Sequence, residues 1–347
     1  MLHALKTELV LRKEVWSDKL IQTIYFGGGT PSILEVKEIE VLIEMVYAHY
    51  KVSDDVEITL EANPDDLSKE KIKVLSKTSV NRLSIGIQSF FDEDLLLMNR
   101  AHNANEALFC LSESLNYFDN CSMDLIYGIP KMSTKRWEQN IEKALSFNIP
   151  HISAYALTVE PRTVLEKLIQ KGIMATVDDE KAAHQFKVLL KKLEEEGFVN
   201  YEISNFGKPN FFSKNNTAYW QGKPYLGIGP SAHSFDGNRR GWNIKNNTKY
   251  IQALMQNKLP IEYEVLSTKD RYNEYIMTGL RTIWGVSLRK IRNDFGATFE
   301  KHLIKQAKKY VVQHLLFWDD DILLATRKGK FLIDGIAANL FIINLKR

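Results

Sequence analysis

Cysteine is almost absent from this chain: two residues in 347, Cys110 and Cys121. That count excludes a disulfide framework and fits a reducing, cytoplasmic compartment. Charge of one sign is lacking as well. The 46 Lys and Arg nearly balance 43 Asp and Glu, leaving +3, which removes the electrostatic case for a dedicated nucleic-acid binder. No apolar run reaches bilayer-spanning length; the best, Ala337 to Ile343, is short and follows Asp334. The opening residues, Met1 to Lys13, read as an amphipathic helix carrying both charge signs, which is not a signal-peptide pattern.

What is present suffices for a large core. Hydrophobic residues make up 44% of the chain, and the length predicts about two or three units. The most informative stretch is Thr23-Ile24-Tyr25-Phe26-Gly27-Gly28-Gly29-Thr30-Pro31-Ser32. A β-branched and aromatic strand runs into three glycines, and a helical pattern resumes soon after Pro31. A plain strand-to-helix turn needs one glycine. Three leave backbone N–H and C=O groups bare, so a ligand can approach closer than side chains would allow. No Gly-Lys-Ser/Thr follows, which excludes a Walker phosphate loop.

From residue 21 to about 160 the pattern alternates strand, loop and helix, which predicts a parallel sheet with right-handed crossovers. Candidate strands are Thr23–Phe26, Val56–Leu60, Arg82–Ile87, Ser122–Ile126 and His151–Ala156. Four of them end in unusual clusters: Gly27-Gly28-Gly29-Thr30, Glu61-Ala62-Asn63-Pro64, Gly86-Ile87-Gln88-Ser89-Phe90 and Asp124 to Pro130. Barrel sites are built at that C-terminal rim. Residues 161–265 read as irregular, with a helix over Ala183–Glu195, an aromatic-rich loop over Tyr201–Tyr219, and a glycine loop from Leu226 to His233. From Ser267 three helices precede a hairpin turning at Asp319-Asp320-Asp321, and a last helix follows. The expected organisation is a barrel over 1–160, a barrel extension and linker over 161–265, and a small winged-helix-like α+β domain over 266–347.

These motifs together resemble the radical SAM superfamily, and within it the oxygen-independent coproporphyrinogen oxidase branch with its HemW-type heme chaperones. The resemblance rests on Tyr25 to Ser32, Glu61 to Pro64, Asn81 to Phe90, Asn99-Arg100-Ala101-His102, Asp124 to Pro130, Ile152 to Leu157 and Asn273 to Thr282, and so covers nearly the whole chain. It implies an α/β fold: a partial TIM-like (β/α) barrel and a C-terminal HemN-like domain. It implies S-adenosylmethionine held across the barrel rim. Gly28, Gly29 and Thr30 would offer backbone groups to the methionine ammonium. Glu61 would accept from the ribose hydroxyls, a task suited to a carboxylate because both oxygens can be used. Arg100 would take the methionine carboxylate, where a planar fork outperforms a lysine. Gln88 and Asp124 would complete the polar wall, with His102 close to Arg100. Each residue read singly also has a structural use, as a cap, an ion pair or a strand end.

Two departures from the family pattern bear on function. Family members ligate a [4Fe–4S] cluster through a CxxxCxxC loop after the first barrel strand, and no such loop occurs here. The sequence is therefore expected to be N-terminally truncated, with a barrel lacking its first strand and no reductive cleavage of S-adenosylmethionine. Cys110 and Cys121 cannot substitute, because one falls in a helix and the other at a strand start, whereas thiolate ligation needs grouped cysteines. The second departure concerns heme. The family's HNxxYW segment reads Asn215-Asn216-Thr217-Ala218-Tyr219-Trp220 here, and an amide is a poor iron ligand beside imidazole. Tyr219, Trp220 and His233 remain as candidate pocket residues. The resemblance thus implies a heme-trafficking protein whose partners are heme or porphyrin and a heme acceptor protein. The alternatives are a radical SAM enzyme acting on a porphyrinogen, or a cluster-free scaffold that binds without catalysis.

Overall fold

The structure, a computed structural model, describes residues 1–161, 163–172 and 174–343. Two compact units result. One holds Asp18–Asn200 and Ser204–Lys214; the other holds Met1–Ser17, Tyr201–Ile203 and the chain from Asn215 onward.

The chain opens with α1 (Leu2–Arg12), part of the second unit. The first unit then runs β1 (Leu20–Phe26), α2 (Val36–His49), β2 (Lys51–Ala62), α3 (Lys69–Leu75), β3 (Arg82–Gln88), α4 (Asp92–Leu97), α5 (Ala104–Leu115), β4 (Cys121–Tyr127), α6 (Thr134–Leu145), β5 (His151–Ala156), α7 (Val164–Gln170) and α8 (Asp179–Glu195). Two short strands follow, β6 (Val199–Glu202) and β7 (Asn205–Gly207). The sheet order is β1-β2-β3-β4-β5-β7-β6, parallel from β1 to β5, with β7 antiparallel to β5. This curled sheet has the parallel strands that the alternation predicts and the partial-barrel form that the family resemblance implies.

Register gives the sheet two chemically different faces. Tyr25 pairs with Thr59, and Thr59 with Arg82. One level higher, Glu61 pairs with Ser84, Ser84 with Ser122, and Ser122 with His151. Asp124 pairs with Ser153, and Ser153 with Asn205. Paired residues share a face, so these polar side chains line one side of the sheet. The opposite face carries Ile58, Leu60, Leu83, Ile85, Met123, Leu125 and Ile152, all essentially inaccessible. There α2 contributes Ile39 and Ile43, α5 Leu111, α6 Trp137 and Ile141, and α8 Phe186 and Leu189. Each such side chain contributes roughly 1.5–3 kcal/mol by leaving water. The helices start where the sequence supplies caps: Asn103 with Glu106 closes a capping box on α5, and Ser133 caps α6. β3 is buried along its whole length, as a central parallel strand should be, whereas no residue of the edge strand β1 is fully buried.

The strand expected over Val56–Leu60 is longer, beginning at Lys51. Its first half, Lys-Val-Ser-Asp-Asp, is mostly exposed and carries no alternation to read. The region expected to be irregular is also more ordered than its pattern suggests. Within the supposed loop Tyr201–Tyr219 lie parts of β6, β7 and α9 (Lys214–Trp220), and beyond it come β8 (His233–Phe235), β9 (Arg239–Asn243), α10 (Asn247–Met255) and β10 (Ile261–Val265). These strands span three to five residues, too few for periodicity to register.

In the second unit β8, β9 and β10 form an antiparallel sheet. The later segment folds as α11 (Thr268–Leu280), β11 (Val286–Ser287), α12 (Leu288–Phe295), α13 (Ala297–Val312), β12 (Leu316–Asp319), β13 (Ile322–Ala325) and α14 (Ile333–Asn339). The hairpin turns at Asp319-Asp320-Asp321 as the sequence indicates. Tyr272, Ile276, Leu280, Ile291, Leu303, Leu323 and Ile336 form its core. Among the described residues no helix is long and apolar enough to cross a membrane.

Candidate functional site

The polar face of the sheet opens at its C-terminal rim into a cavity of about 170 Å³. Gly29, Thr30, Pro31 and Ser32 line it from the glycine turn, Glu61, Ala62 and Asn63 from the end of β2, Ser84, Gly86 and Gln88 from β3, and Asp124 from β4. The structure therefore brings together Gly29, Thr30, Glu61, Gln88 and Asp124. Gly28 joins them through a hydrogen bond, its N–H donating to Glu61 Oε2 at 3.2 Å.

The three glycines do different work. A Cβ on Gly27 would lie 2.6 Å from the Tyr25 ring and 2.8 Å from the Glu61 carboxylate, so only glycine lets these three pack. Gly28 has φ +78, a left-handed conformation natural to glycine. A Cβ on Gly28 or Gly29 would meet nothing within 4 Å, so the backbone of this turn is left uncovered by side chains. Tyr25 donates its hydroxyl hydrogen to Glu61 Oε1 at 2.7 Å. Burial pushes the Tyr25 phenol well up, and Glu61 adds to that shift. Tyr25 is thus a fixed donor that orients the carboxylate. The sequence assigned it no role, although it stands two residues before the first glycine.

Gln88 is held at φ +65, rare for a residue with a side chain. It sits in a tight turn in which the Ser89 N–H donates to the Ile87 carbonyl at 2.8 Å. The turn is clamped from several sides. Phe90 N–H donates to Asn140 Oδ1 at 2.7 Å, Ser89 Oγ donates to Asp94 at 2.8 Å, and His102 Nε2 lies 3.2 Å from the Ile87 carbonyl. Strain of this kind persists only where neighbours over-determine the conformation. Here it aims the amide into the cavity.

Asp124 is the least satisfied group. Its Oδ1 is buried without a hydrogen-bond partner. Burial pushes its carboxyl up to about 6; Glu61 pushes the same way, while Ser153, Arg82 and Arg100 oppose it. Arg100 is not among the residues that line the cavity. It is half-buried just after α4, its guanidinium makes no hydrogen bond among the described residues, and the carboxylates whose fields reach it are Asp124 and Asp65. Its place in the loop follows from Asn99, which at φ +54 turns the chain so that Arg100 N–H donates to the Leu95 carbonyl.

The candidate heme residues all lie in the second unit's stretch of chain. Asn215 is half-buried on α9, and Tyr219 and Trp220 close that helix. Tyr219 meets Trp220 edge-on at 5.3 Å and Tyr225 at 5.7 Å. Arg281 stacks over Trp220 at 4.8 Å while its guanidinium binds Glu202 at 2.9 Å. His233 opens β8 and is exposed, its ring 6.4 Å from that of Trp242.

The profile of the Radical SAM superfamily matches residues 4–150, and that of the HemN C-terminal domain matches residues 266–332. The heme chaperone HemW of Bacillus subtilis is 33% identical over 334 residues, covering 95% of this chain and 88% of that protein. The chain belongs to the HemW family of the radical SAM superfamily. HemW of Lactococcus lactis is 34% identical, over 91% of this chain and 86% of its own. HemW of Mycobacterium tuberculosis is 31% identical, with 98% and 85% covered. The fold is that of coproporphyrinogen III oxidase (HemN) from Escherichia coli, with a TM-score of 0.83 at 21% identity over 98% of this chain and 82% of that one.

Membership implies S-adenosylmethionine and a [4Fe–4S] cluster, and the residues fit the two differently. The rim suits a cationic, hydroxyl-rich ligand: an open glycine cradle, an oriented Glu61 and an unpartnered Asp124 oxygen. The cluster has no matching donor set. Among the described residues no group of three or more His, Cys, Asp or Glu side chains is placed to hold a metal. Both cysteines are buried and free, and burial pushes each thiol up to about 12, the reverse of what a thiolate ligand requires.

Proposed function

We propose that this HemW-family chain is a heme-trafficking protein that takes S-adenosylmethionine at the barrel rim and heme on its second unit. The observation carrying the rim assignment is the oriented Glu61 carboxylate beside an open glycine cradle. Glu61 keeps lone pairs beyond those used by Tyr25 and Gly28, and these accept from the ribose hydroxyls. Carbonyls of Gly28, Gly29 and Thr30 receive the ammonium. The Arg100 guanidinium, without a hydrogen bond inside the protein, receives the carboxylate. Gln88 and Asp124 close the wall.

S-adenosylmethionine supplies a sulfonium that one-electron reduction can cleave. The part of the rim residues is to bind that ligand and to orient it. Heme fits the second unit because Tyr219 and Trp220 present aromatic area to a planar ligand. The curated relatives carry the name heme chaperone, which favours heme delivery to an acceptor protein over turnover of a porphyrinogen.

Calorimetric titration of the chain with S-adenosylmethionine tests the rim. Glu61→Gln and Arg100→Ala should each cost on the order of 1.5–3 kcal/mol, the worth of a hydrogen bond to a charged group. Affinities unchanged from wild type in both variants would refute the assignment.

A further inference from the structure

We propose that His233 is the protein's axial ligand to heme iron, its imidazole presented from a rigid sheet whose aromatic face supports the porphyrin. This deepens the heme reading above and rests on it.

The argument begins on the side of β8 away from the imidazole. Ser234, next in sequence, points to the opposite face and is buried. Its Oγ accepts from Arg12 Nη2 at 3.1 Å and from the Gly227 N–H at 3.0 Å. Arg12 also donates to the Gly227 carbonyl at 2.8 Å. A Cβ on Gly227 would come within 2.0 Å of the His233 carbonyl oxygen, so the glycine loop lies directly against the His233 backbone. The position of residue 233 is therefore fixed by buried contacts that leave its side chain unused.

The other face is arranged around that side chain. His233 pairs with Trp242, and Phe235 with Arg240, across the β8–β9 ladder. Tyr225 pairs with Phe235 through an isolated bridge. All five side chains consequently share one face. Tyr225 and Phe235 stand 6.2 Å apart, and Tyr225 continues the row to Tyr219 at 5.7 Å. The indole N–H of Trp242 donates to Glu262 at 3.2 Å, which sets its ring beside the imidazole. The His233 side chain is exposed, and its imidazole makes no hydrogen bond or ion pair among the described residues. An unpartnered imidazole beside an aromatic row is what an iron porphyrin requires: one nitrogen lone pair for the metal and π surface for the ring. The His233 imidazole would hold the iron through one ring nitrogen, whose lone pair supplies both electrons of the bond in place of a water ligand, with no change of oxidation state.

The other histidines of this unit lack the setting. His302 lies 3.2 Å from the Leu340 carbonyl through Nε2, and His3 and His314 have no ring contact among the described residues. Asn215 offers only an amide, and it already has an interaction within the protein. Tyr219 is the competing ligand, because a phenolate also binds ferric iron.

The test titrates the full chain with ferric protoporphyrin IX, followed by absorption and electron paramagnetic resonance, and in parallel with metal-free protoporphyrin IX. His233→Ala should weaken iron-porphyrin binding by on the order of tenfold or more and remove the imidazole-ligated spectrum. It should bind the metal-free porphyrin as wild type does, which also shows that the variant is folded, and added free imidazole should restore the spectrum. Tyr219→Phe and Asn215→His should leave the ligation signature in place. A wild-type spectrum in His233→Ala, or loss of the signature in Tyr219→Phe, would overturn the ligand assignment alone. If wild type takes up neither porphyrin, the heme reading itself falls and the ligand assignment with it.

Discussion

Asp124 shows how one residue on the polar face links fold stability to ligand capacity. Its carboxyl titrates near 6 in the folded chain against an ordinary 3.8, chiefly because it is buried, and its Oδ1 has no partner. The folded state therefore holds the proton more tightly than the unfolded state. Stability is greatest below the unfolded value and falls as pH rises through the folded one, by about 3 kcal/mol at 1.36 kcal/mol per unit. Asp124→Asn cannot ionise. Its calorimetric Tm should exceed that of wild type at about pH 7.5 and converge with it near pH 4. A constant difference across that window would contradict the assignment. The stability given up at neutral pH is that of a carboxylate whose Oδ1 is buried without a hydrogen-bond partner.

At the scale of elements, α1 is the clearest case of a helix held by polar burial. Glu8 is fully buried and accepts from Asn243 Nδ2 at 2.7 Å, Gly229 N–H at 2.9 Å, Tyr250 Oη at 2.5 Å and Arg12 at 3.4 Å. The carboxylate thereby ties α1 to the glycine loop, to β9 and to α10. Ala4 adds an apolar contact with Tyr250 and Leu254. Glu8→Ala would leave a buried Arg12 without its counter-charge and would remove the acceptor of the Gly229 N–H and the Tyr250 hydroxyl, and one of the two acceptors of Asn243 Nδ2. Breaking such a pair costs on the order of 3–5 kcal/mol, so the denaturant midpoint should drop sharply. A midpoint near that of wild type would mean that water replaces the carboxylate and the network carries little. Because Arg12 also braces Ser234, the same variant should blur the imidazole spectrum expected at His233.

For the molecule as a whole, the decisive quantity is the number and placement of thiols. Two buried cysteines with raised pKa cannot provide the grouped thiolates of a cluster. Anaerobic reconstitution of this chain with iron and sulfide should leave it without the visible charge-transfer absorbance of a [4Fe–4S] centre. Near-stoichiometric iron and sulfide in the repurified protein would overturn that expectation. The barrel's polar face does not depend on a cluster. Its residues are brought together by strand register and by the turns at the strand ends, so ligand binding proposed at the rim should survive in the chain as it stands.

The sequence by itself determined the parallel β/α series, the rim clusters and the terminal hairpin. Strands flanked by helices recur with a period that local pattern can carry, and three consecutive glycines have few other uses. It also placed Glu61, Gln88 and Asp124 at strand ends, which is why they converge on one cavity. Tertiary structure decided what local pattern cannot encode. The strands β6 to β10 are too short to show periodicity and exist through their partners. Tyr25 becomes part of the site because Gly27 lets its ring and Glu61 meet. Arg100 follows a left-handed turn at Asn99 that ties its N–H to the Leu95 carbonyl, a placement no local pattern announces. The presentation of His233 depends on Glu8 and Arg12, more than 220 residues away in sequence, since a buried polar network is satisfied in three dimensions and leaves no spacing along the chain.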